Sequence, residues 1–371
     1  MKYKRMPIEI ESPEQYGYEK IVCNLAESSV SDAVFSGLDI DISKLVLCYG
    51  DHFGKPELRE LIASEYELQS RDEVLLTAGA AAALFIVATS LLEPSDHLVV
   101  MRPNYATNIE TPKAIGCSIS YLDLKFEQGF RPDLVLLESL LRPETKLISI
   151  TCPNNPTGVM LSLEELQALI KLAERKGIYL LVDETYRDLC RQAKLPPAAS
   201  LSDRVISVSS VSKAYGLPGI RLGWLAARNK ALMELFLAAK EQIFLCNSVV
   251  DEEIAWQFMR KKDLFVPSIL THLETNYTIL ETWIKVHPFL EWVTPDGGVV
   301  CFPRIKPGIL ADIDAFYRIM NEKYGTFPGP GHWFDMDKRY MRIGYGWPAA
   351  SELRKGLEFI DKAFLESKIV P

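Results

Sequence analysis

The sequence is poor in histidine and has no closely paired cysteines. Its five histidines are isolated from one another, and its seven cysteines are scattered without a Cys-x-x-Cys pair. This spacing offers neither a set of metal ligands nor a Ser/His/Asp triad, and an odd number of separate cysteines favours free thiols over a disulfide framework. We therefore expect no metal site, and we predict a reducing, cytoplasmic compartment.

An excess of positive charge is also absent. Forty-one basic residues against 49 acidic ones give a formal charge of −8, which argues against a nucleic acid or an anionic membrane as partner. The uncharged run 77–92 is too short to span a membrane and contains a glycine, and no apolar stretch typical of a signal peptide follows the basic N-terminus. The glycine-rich stretches lack the Gly-x-x-x-x-Gly-Lys pattern of a nucleotide-binding loop.

Short apolar runs alternate with helical patterns through the first two thirds of the chain. The clearest helical pattern is 161–176, and the strand-like runs are 97–102, 146–151, 178–183 and 205–209. This alternation predicts an α/β fold with a mostly parallel sheet wrapped by helices on both faces. After residue 265 the pattern changes to long helices with a short strand at 297–302. We predict an N-terminal arm (1–45), a large domain (46–265) and a smaller α+β domain (266–371) that packs with the arm.

A lysine follows the apolar run 205–208 and a cluster of serines. Burying a lysine is costly unless its charge is removed or used. Lys213 therefore fits a lysine whose amine forms a Schiff base with a carbonyl cofactor, and Ser210, Ser212 and Arg221 would then bind the phosphate of that cofactor. The simpler alternative is a strand, a Gly/Pro loop and a lysine that reaches solvent.

The segment 209–224 resembles the lysine motif of fold-type I pyridoxal-phosphate (PLP) enzymes, in the class I/II aminotransferase branch. The resemblance extends from about Tyr49 to the C-terminus. It implies the fold-type I architecture, PLP as the cofactor, and an aldimine and a quinonoid as intermediates on a free L-amino acid. It also implies that Lys213 is both the Schiff-base lysine and the group that moves the α-proton.

Two further motifs agree with this resemblance in order and spacing. Asp183, at the end of an apolar run, matches the aspartate that salt-bridges the pyridine nitrogen, and Tyr186 matches a tyrosine that hydrogen-bonds the phenolic oxygen of the ring. Asn155, in Asn-Pro-Thr-Gly, matches the asparagine that donates to the same oxygen. Taken alone, Asp183 has the alternative of a helix cap, and Asn-Pro-x-Gly is also a common turn.

The sequence around Gly79, Ala80 and Ala81 predicts a second part of the phosphate site. A strand turns into a helix there, and a helix N-terminus offers free N–H groups to an anion. Members of the family usually carry a hydroxyl where Ala81 stands, so we expect backbone N–H groups of Ala80 and Ala81 to serve instead; a helix start buried only for packing is the alternative. Tyr105 resembles the aromatic residue that stacks on the ring, or else it is a packed surface tyrosine. Tyr49 matches a tyrosine that reaches the partner's phosphate, which implies a homodimer with a shared active site.

The substrate residues are predicted from the C-terminal part and the arm. Arg342 resembles the arginine that binds the substrate α-carboxylate as a bidentate pair, and the resemblance also brings Asn155 near the substrate. Where relatives usually have a glycine–proline element, the segment 24–30 carries Glu27 and hydroxyls, and together with Glu9 and Glu11 it could present carboxylates to a guanidinium. Glu9 and Glu27 are the candidate partners. The alternative is that these acids are solvated.

Several stretches, including 297–304 and 342–348, are similar to the cyclases that form capreomycidine and enduracididine. These enzymes remove water from a hydroxyarginine, after which a guanidine nitrogen closes a ring. The leading hypothesis is therefore a PLP-dependent cyclodehydratase acting on a hydroxyarginine-like amino acid. The second is an aminotransferase that uses a 2-oxo acid, and the third is a PLP-fold protein without catalysis that serves as a regulator or binding module.

Overall fold

The structure, a computed structural model, describes residues 1–191, 193–309 and 312–367 of the 371-residue chain. Residues 310, 311 and 368–371 of the predicted C-terminal domain lie outside the described residues. The α-helices of the described part are α1 (Pro7–Ile10), α2 (Pro13–Tyr16), α3 (Pro56–Glu65), α4 (Ala80–Leu91), α5 (Thr107–Ile115), α6 (Leu134–Leu140), α7 (Leu163–Lys176), α8 (Val211–Ala214), α9 (Lys230–Phe244), α10 (Val249–Met259), α11 (Val266–Lys285), α12 (Ile313–Arg318) and α13 (Ala350–Glu366). The strands are β1 (Cys23–Leu25), β2 (Val74–Thr77), β3 (His97–Arg102), β4 (Ser118–Asp123), β5 (Thr145–Thr151), β6 (Tyr179–Asp183), β7 (Val205–Ser210), β8 (Gly223–Ala226), β9 (Leu290–Glu291), β10 (Val300–Cys301), β11 (Arg304–Ile305), β12 (Thr326–Pro330) and β13 (Met341–Gly344).

Seven strands form one sheet in the order β2-β8-β7-β6-β5-β3-β4. Strand β8 is antiparallel to both of its neighbours, and the other pairings are parallel. The predicted strands agree with β3, β5, β6 and β7 to within one residue at each end. The predicted mostly parallel sheet is confirmed.

Helices cover both faces of this sheet. Alternate side chains of the central strands enter different apolar clusters: Leu180 and Val182 pack with α7, whereas Leu181 packs with α4 and α9. Strands buried on both faces read as continuous apolar runs, which explains why the sequence marked them clearly. The carboxyl ends of the parallel strands therefore open at one edge of a rigid layer.

Helix α7 illustrates how local sequence sets an element's bounds. Ser162 and Glu165 form a capping box at its start, and Gly177 ends it in the left-handed region at φ +69°. Both features satisfy backbone groups that a helix end leaves unpaired. The sequence predicted this helix from residue 161, two residues before its first turn.

A four-stranded sheet joins the N-terminal segment to the C-terminal part in the order β1-β12-β13-β10. Strand β1 runs parallel to β12, so the arm is part of this sheet. Helices α11 and α13 pack against one another beside it, and α11 begins at Val266, where the smaller domain was predicted to begin. The predicted strand 297–302 is shorter than expected, because only Val300–Cys301 pairs with β13.

Candidate functional site

A cavity of about 380 Å³ lies where β5, β6 and β7 end. Thr151, Asp183 and Ser210 are the last residues of these strands, and all three line the cavity. Of the site residues predicted from the sequence, all but Gly79 and Tyr49 line it. The topology therefore brings together groups that are as far apart in the sequence as Glu9 and Arg342.

Lys213 lies in the single helical turn α8 that follows β7 directly. Its side chain is 32% exposed and points toward the carboxylate of Glu27, with 3.3 Å between Nζ and Oε1. Burial opposes the charge on the amine, but the carboxylate of Glu27 and the neighbouring Tyr186 outweigh it and raise the lysine pKa. The amine is thus held in the cavity beside a buried acid.

One end of the cavity collects N–H and hydroxyl donors. It is lined by the first residues of α4, Ala80 and Ala81, together with Ser210, Ser212 and Arg221. Helix α4 has twelve residues, and its N-terminus presents unpaired N–H groups and a positive dipole end. This donor set matches the chemistry of a phosphate dianion.

Gly79 does not line the cavity but makes room for the guanidinium that does. Its φ is +82°, and a Cβ placed there would come within 2.6 Å of Nη2 of Arg221. Arg221 is also held by its Nη1, which donates to the carbonyl of Pro218 at 2.8 Å. A glycine at this position is therefore required both by the backbone and by the arginine.

Asp183 is a buried carboxylate at the floor of the cavity. One of its oxygens accepts hydrogen bonds from the hydroxyl of Thr185 at 2.6 Å and from its N–H at 3.1 Å. Burial raises the pKa of Asp183 against these bonds, and no lysine or arginine of the described ranges pairs with it. A buried carboxylate of this kind fits a cationic ligand.

Two tyrosines line the cavity in different ways. Tyr105 follows β3, and its backbone N–H donates to the side chain of Asn104 at 2.7 Å. The hydroxyl of Tyr186 donates its proton to the carbonyl of Ser28 at 2.7 Å. In this arrangement the Tyr186 hydroxyl can only accept a hydrogen bond from the cavity. To donate to the phenolic oxygen of the ring, as predicted, it must turn its proton away from the carbonyl of Ser28.

Arg342 is a buried arginine on β13 without an acidic partner among the described residues. Its Nη1 donates to Oδ1 of Asn155 at 3.0 Å, and its Nη2 donates to the carbonyl of Ala26 at 2.6 Å. Its Nε is buried without a hydrogen-bond partner. Burial lowers the pKa of this guanidinium, an effect that Tyr186 and Glu27 oppose, and such a group favours an anionic ligand.

The N-terminal arm closes the opposite side of the cavity and supplies acids. Glu9 on α1 and Glu14 on α2 both line it, as does Glu27 beyond β1. Burial and the charge of Glu14 raise the pKa of Glu9, whereas the charge of Lys213 lowers it. Sequence reasoning singled out Glu9 and Glu27 but missed Glu14, because α1 and α2 are separate short helices whose relative placement has no sequence signal.

The arm is held to the C-terminal part by Glu11. Its Oε2 accepts hydrogen bonds from Nε1 of Trp333 at 2.7 Å and from Nε2 of His332 at 2.8 Å. Trp333 also lines the cavity, and no feature of the sequence indicated this role.

Tyr49 lies outside the cavity. Its side chain is 82% exposed, and the nearby Val46 and Leu47 are exposed as well. Its predicted contact with a partner's phosphate stays a prediction. In the described residues no group of acids, cysteines and histidines is placed to bind a metal ion, and no helix there has the length and apolarity of a membrane span.

The family model for aminotransferase class I and II matches residues 24–360. The chain therefore belongs to this family and is a PLP-dependent enzyme with the fold-type I architecture. This confirms the family and the cofactor that the sequence motifs indicated.

The similar proteins include both aminotransferases and enzymes that form rings. Capreomycidine synthase of Streptomyces vinaceus is 29% identical over 326 residues, which are 87% of this chain and 82% of that protein. A PLP-dependent aminotransferase from Streptococcus suis superimposes with a TM-score of 0.91 at 28% identity over 100% of both chains. The PLP-dependent cyclase OrfR superimposes with a TM-score of 0.88 at 25% identity over 99% of this chain and 98% of that one.

Proposed function

We propose that the cavity holds PLP, with its phosphate bound at the start of α4 and its pyridine nitrogen facing Asp183. Ala80, Ala81, Ser210, Ser212 and Arg221 would bind the phosphate. The proposal is supported by the donor set at this end of the cavity and by a Gly79 that leaves space for Arg221. Tyr105 would lie against the ring, while Asn155 and Tyr186 would face its phenolic oxygen.

Asp183 would pair with the pyridine nitrogen of the ring. Its carboxylate is buried and accepts from Thr185. A pyridinium would supply a positive charge that offsets the cost of burying the negative carboxylate. When bound, PLP supplies an aldehyde that condenses with amines and a ring that accepts electrons from the substrate α-carbon.

Lys213 and Arg342 would handle the substrate. Lys213 would bond to the cofactor in the resting enzyme and, once displaced by the substrate amine, would take up the α-proton. Arg342 would bind the α-carboxylate, and the unpartnered Nε of its guanidinium supports this role. Asn155 would hold that guanidinium through the 3.0 Å hydrogen bond to its Oδ1.

We infer that the preferred reaction is the dehydration and cyclisation of a hydroxyarginine-like amino acid. The observation that carries this proposal is that Glu9, Glu14 and Glu27 line the same cavity as Lys213 and Arg342. Carboxylates suit a guanidinium, which is planar and permanently charged. The likeness to capreomycidine synthase supports the same reading.

The proposed reaction is balanced without an oxidant. A carbon–oxygen bond of the hydroxylated substrate breaks, the hydroxyl leaves as water, and a guanidine nitrogen loses a proton as it forms a carbon–nitrogen bond. Lys213 would take up the α-proton and return one, so no proton is consumed in the cycle. The product is one water lighter than the substrate.

Product mass tests this proposal directly. The purified enzyme with PLP is given hydroxyarginines, with and without 2-oxoglutarate. We expect loss of one water without the keto acid, and we expect the Lys213→Ala variant to form no product. Product that appears only with 2-oxoglutarate, together with glutamate, would overturn the cyclase and establish an aminotransferase.

The aminotransferase is the second candidate function. It is favoured by the similarity to the Streptococcus suis aminotransferase, which covers this chain completely.

A neutral analogue of the guanidinium substrate tests the role of the acids under either reaction. Glu9→Gln should raise the KM for a guanidinium substrate more than the KM for the matching ureido analogue, and equal effects on both would reduce Glu9 to a solvated acid.

We propose that the enzyme is a homodimer in which Tyr49 reaches the phosphate site of the partner. The exposed side chains of Val46, Leu47 and Tyr49 support this, because neighbouring apolar side chains at a protein surface often mark an interaction site. Light scattering should give twice the chain mass, and Tyr49→Phe should weaken PLP binding without dissociating the dimer. A monomer that binds PLP normally would overturn both statements.

We also propose a cytoplasmic location for the enzyme. All seven cysteines are free thiols, which suits a reducing compartment. Fractionation of the source cells tests this, and activity outside the cytoplasmic fraction would contradict it.

A further inference from the structure

The carboxylate of Glu27 is the nearest acid to the amine of Lys213. The two atoms, Oε1 and Nζ, are 3.3 Å apart although the residues are 186 positions apart in the chain. Only 18% of the Glu27 side chain is exposed, and 32% of that of Lys213. A partly buried ion pair is screened less than one on the surface.

The backbone around Glu27 fixes the carboxylate in this position. Its Oε1 also accepts from the N–H of Ser28 at 3.0 Å and from the hydroxyl of Ser29 at 3.4 Å. A side chain at Gly344 would collide with the carbonyl oxygen of Glu27, so the glycine of β13 lets the segment after β1 lie close to that strand. The acid is therefore built into the junction of the arm and the four-stranded sheet.

We infer that Glu27 is the counter-ion of the Lys213 nitrogen and keeps that nitrogen protonated when it is joined to the cofactor as an imine. The inference rests on the role proposed for Lys213. Four carboxylates line the cavity, those of Glu9, Glu14, Glu27 and Asp183, but only Glu27 is within salt-bridge distance of this nitrogen among the described residues. A protonated imine is the form that an incoming amine attacks, so Glu27 would keep the resting enzyme reactive toward its substrate.

Other charged and titratable groups face this pair from each neighbouring element. They are Glu9 and Tyr18 of the arm, Tyr105 after β3, Asp183 and Tyr186 at the end of β6, and Arg342 of β13. Arg342 opposes a positive charge on Lys213, and Glu9 interacts with it through space without a hydrogen bond. Glu27 differs from all of these because it is a carboxylate in direct contact with the Lys213 nitrogen.

The assignment also distinguishes the acids at the proposed substrate site. A guanidinium that binds Glu27 must share this carboxylate with the Lys213 nitrogen, which contacts its Oε1. Glu9 does not hydrogen-bond Lys213 and lies on the arm. The two acids proposed for substrate binding are therefore not equivalent, because only Glu27 is in contact with the lysine.

A spectrophotometric pH titration of the holoenzyme tests the inference without reference to turnover. The absorbance of the protonated imine is followed as the pH rises in the wild type, Glu27→Gln, Glu27→Asp and Glu14→Gln. Removal of an opposite charge in contact should lower the midpoint in Glu27→Gln by about 1 pH unit or more. Glu27→Asp should recover part of the shift, and Glu14→Gln, which also lines the cavity, should titrate like the wild type.

An unchanged midpoint in Glu27→Gln would overturn the inference, as would an equal shift in Glu14→Gln. The basis of the inference is tested separately with Lys213→Ala. Borohydride should fix PLP to the wild type and to Glu27→Gln but not to Lys213→Ala. Fixation to Lys213→Ala would show that another lysine carries the cofactor, which is distinct from a failure of Glu27 alone.

Discussion

Nη1 of Arg342 donates a hydrogen bond to Oδ1 of Asn155 at 3.0 Å. The arginine belongs to β13 of the four-stranded sheet, whereas the asparagine follows β5 of the large sheet. Because the amide oxygen is used by the arginine, its Nδ2 donor is left for a second partner. Arg342, which is proposed to bind the substrate carboxylate, thus orients Asn155, which is proposed to face the phenolic oxygen of the cofactor.

This relationship predicts that lysine cannot replace Arg342. Arg342→Lys retains the charge but loses the planar fork that contacts Asn155 and the carbonyl of Ala26. We expect KM for the amino acid to rise by about 10- to 100-fold, equivalent to about 1.4–2.8 kcal/mol. Steady-state kinetics measure this, with Arg339→Lys as the control, since Arg339 donates to the carbonyl of Ile309 instead. Equal effects in both variants would contradict a specific role.

Gly79→Ala should weaken cofactor binding beyond its effect on stability. The new Cβ would lie 2.6 Å from Nη2 of Arg221, so the guanidinium must move. Gly177→Ala is the matched control, because Gly177 also has a positive φ but no atom within 4 Å of the added Cβ. Both variants should lose about 1–3 kcal/mol of stability. Equilibrium dialysis should show weaker PLP binding only in Gly79→Ala. Equal binding in both variants would contradict the proposal that Gly79 leaves space for a phosphate-binding Arg221.

Asp183→Asn should separate cofactor binding from folding. Burial raises the pKa of this carboxyl in the cofactor-free protein, so the neutral amide should leave the melting temperature of that form unchanged or slightly higher. A pyridinium would lose its charged partner, so we expect PLP affinity to fall by about 10- to 100-fold. A large drop in the melting temperature of the cofactor-free variant would mean instead that Asp183 is structural.

Asp188 should make stability depend on pH in the acid range. Burial opposes its ionisation, but Lys262, Lys194 and Tyr215 outweigh this and lower its pKa to about 2. The unfolded value is about 3.9, so the ionised form stabilises the folded state by about 2 kcal/mol above pH 5. This contribution is lost as the pH falls through 4 toward 2. In Asp188→Asn, urea unfolding should show a smaller loss of stability between pH 5 and pH 3; an identical decline in both proteins would contradict the assignment.

The sequence was informative where a property is local or repeats along the chain. The ends of α7 are set by Ser162, Glu165 and Gly177, and all three are legible in the sequence. The central strands are apolar throughout because helices cover both faces of the sheet. The motifs around Asn155, Asp183 and Lys213 were legible for the same reason, since each follows the end of a strand at short range.

Other features of the site have no local signal. Glu14 joins Glu9 only because α1 and α2 fold over the cavity, and Trp333 reaches it from the C-terminal part while Glu11 holds its indole. The proton of Tyr186 goes to Ser28, a residue 158 positions away. Such contacts depend on how the arm pairs with β12, which apolar patterns do not specify.

The sequence by itself determined the family, the cofactor, the main strands and most residues around the cavity, because these depend on short motifs and on side-chain periodicity. Only the tertiary structure decided that the carboxylate of Glu27 contacts the nitrogen of Lys213 and that Arg342 holds Asn155. Each of these pairs joins segments from different sheets. Their distances are set by the packing of the arm, the large sheet and the small sheet together, and no stretch of sequence encodes that packing alone.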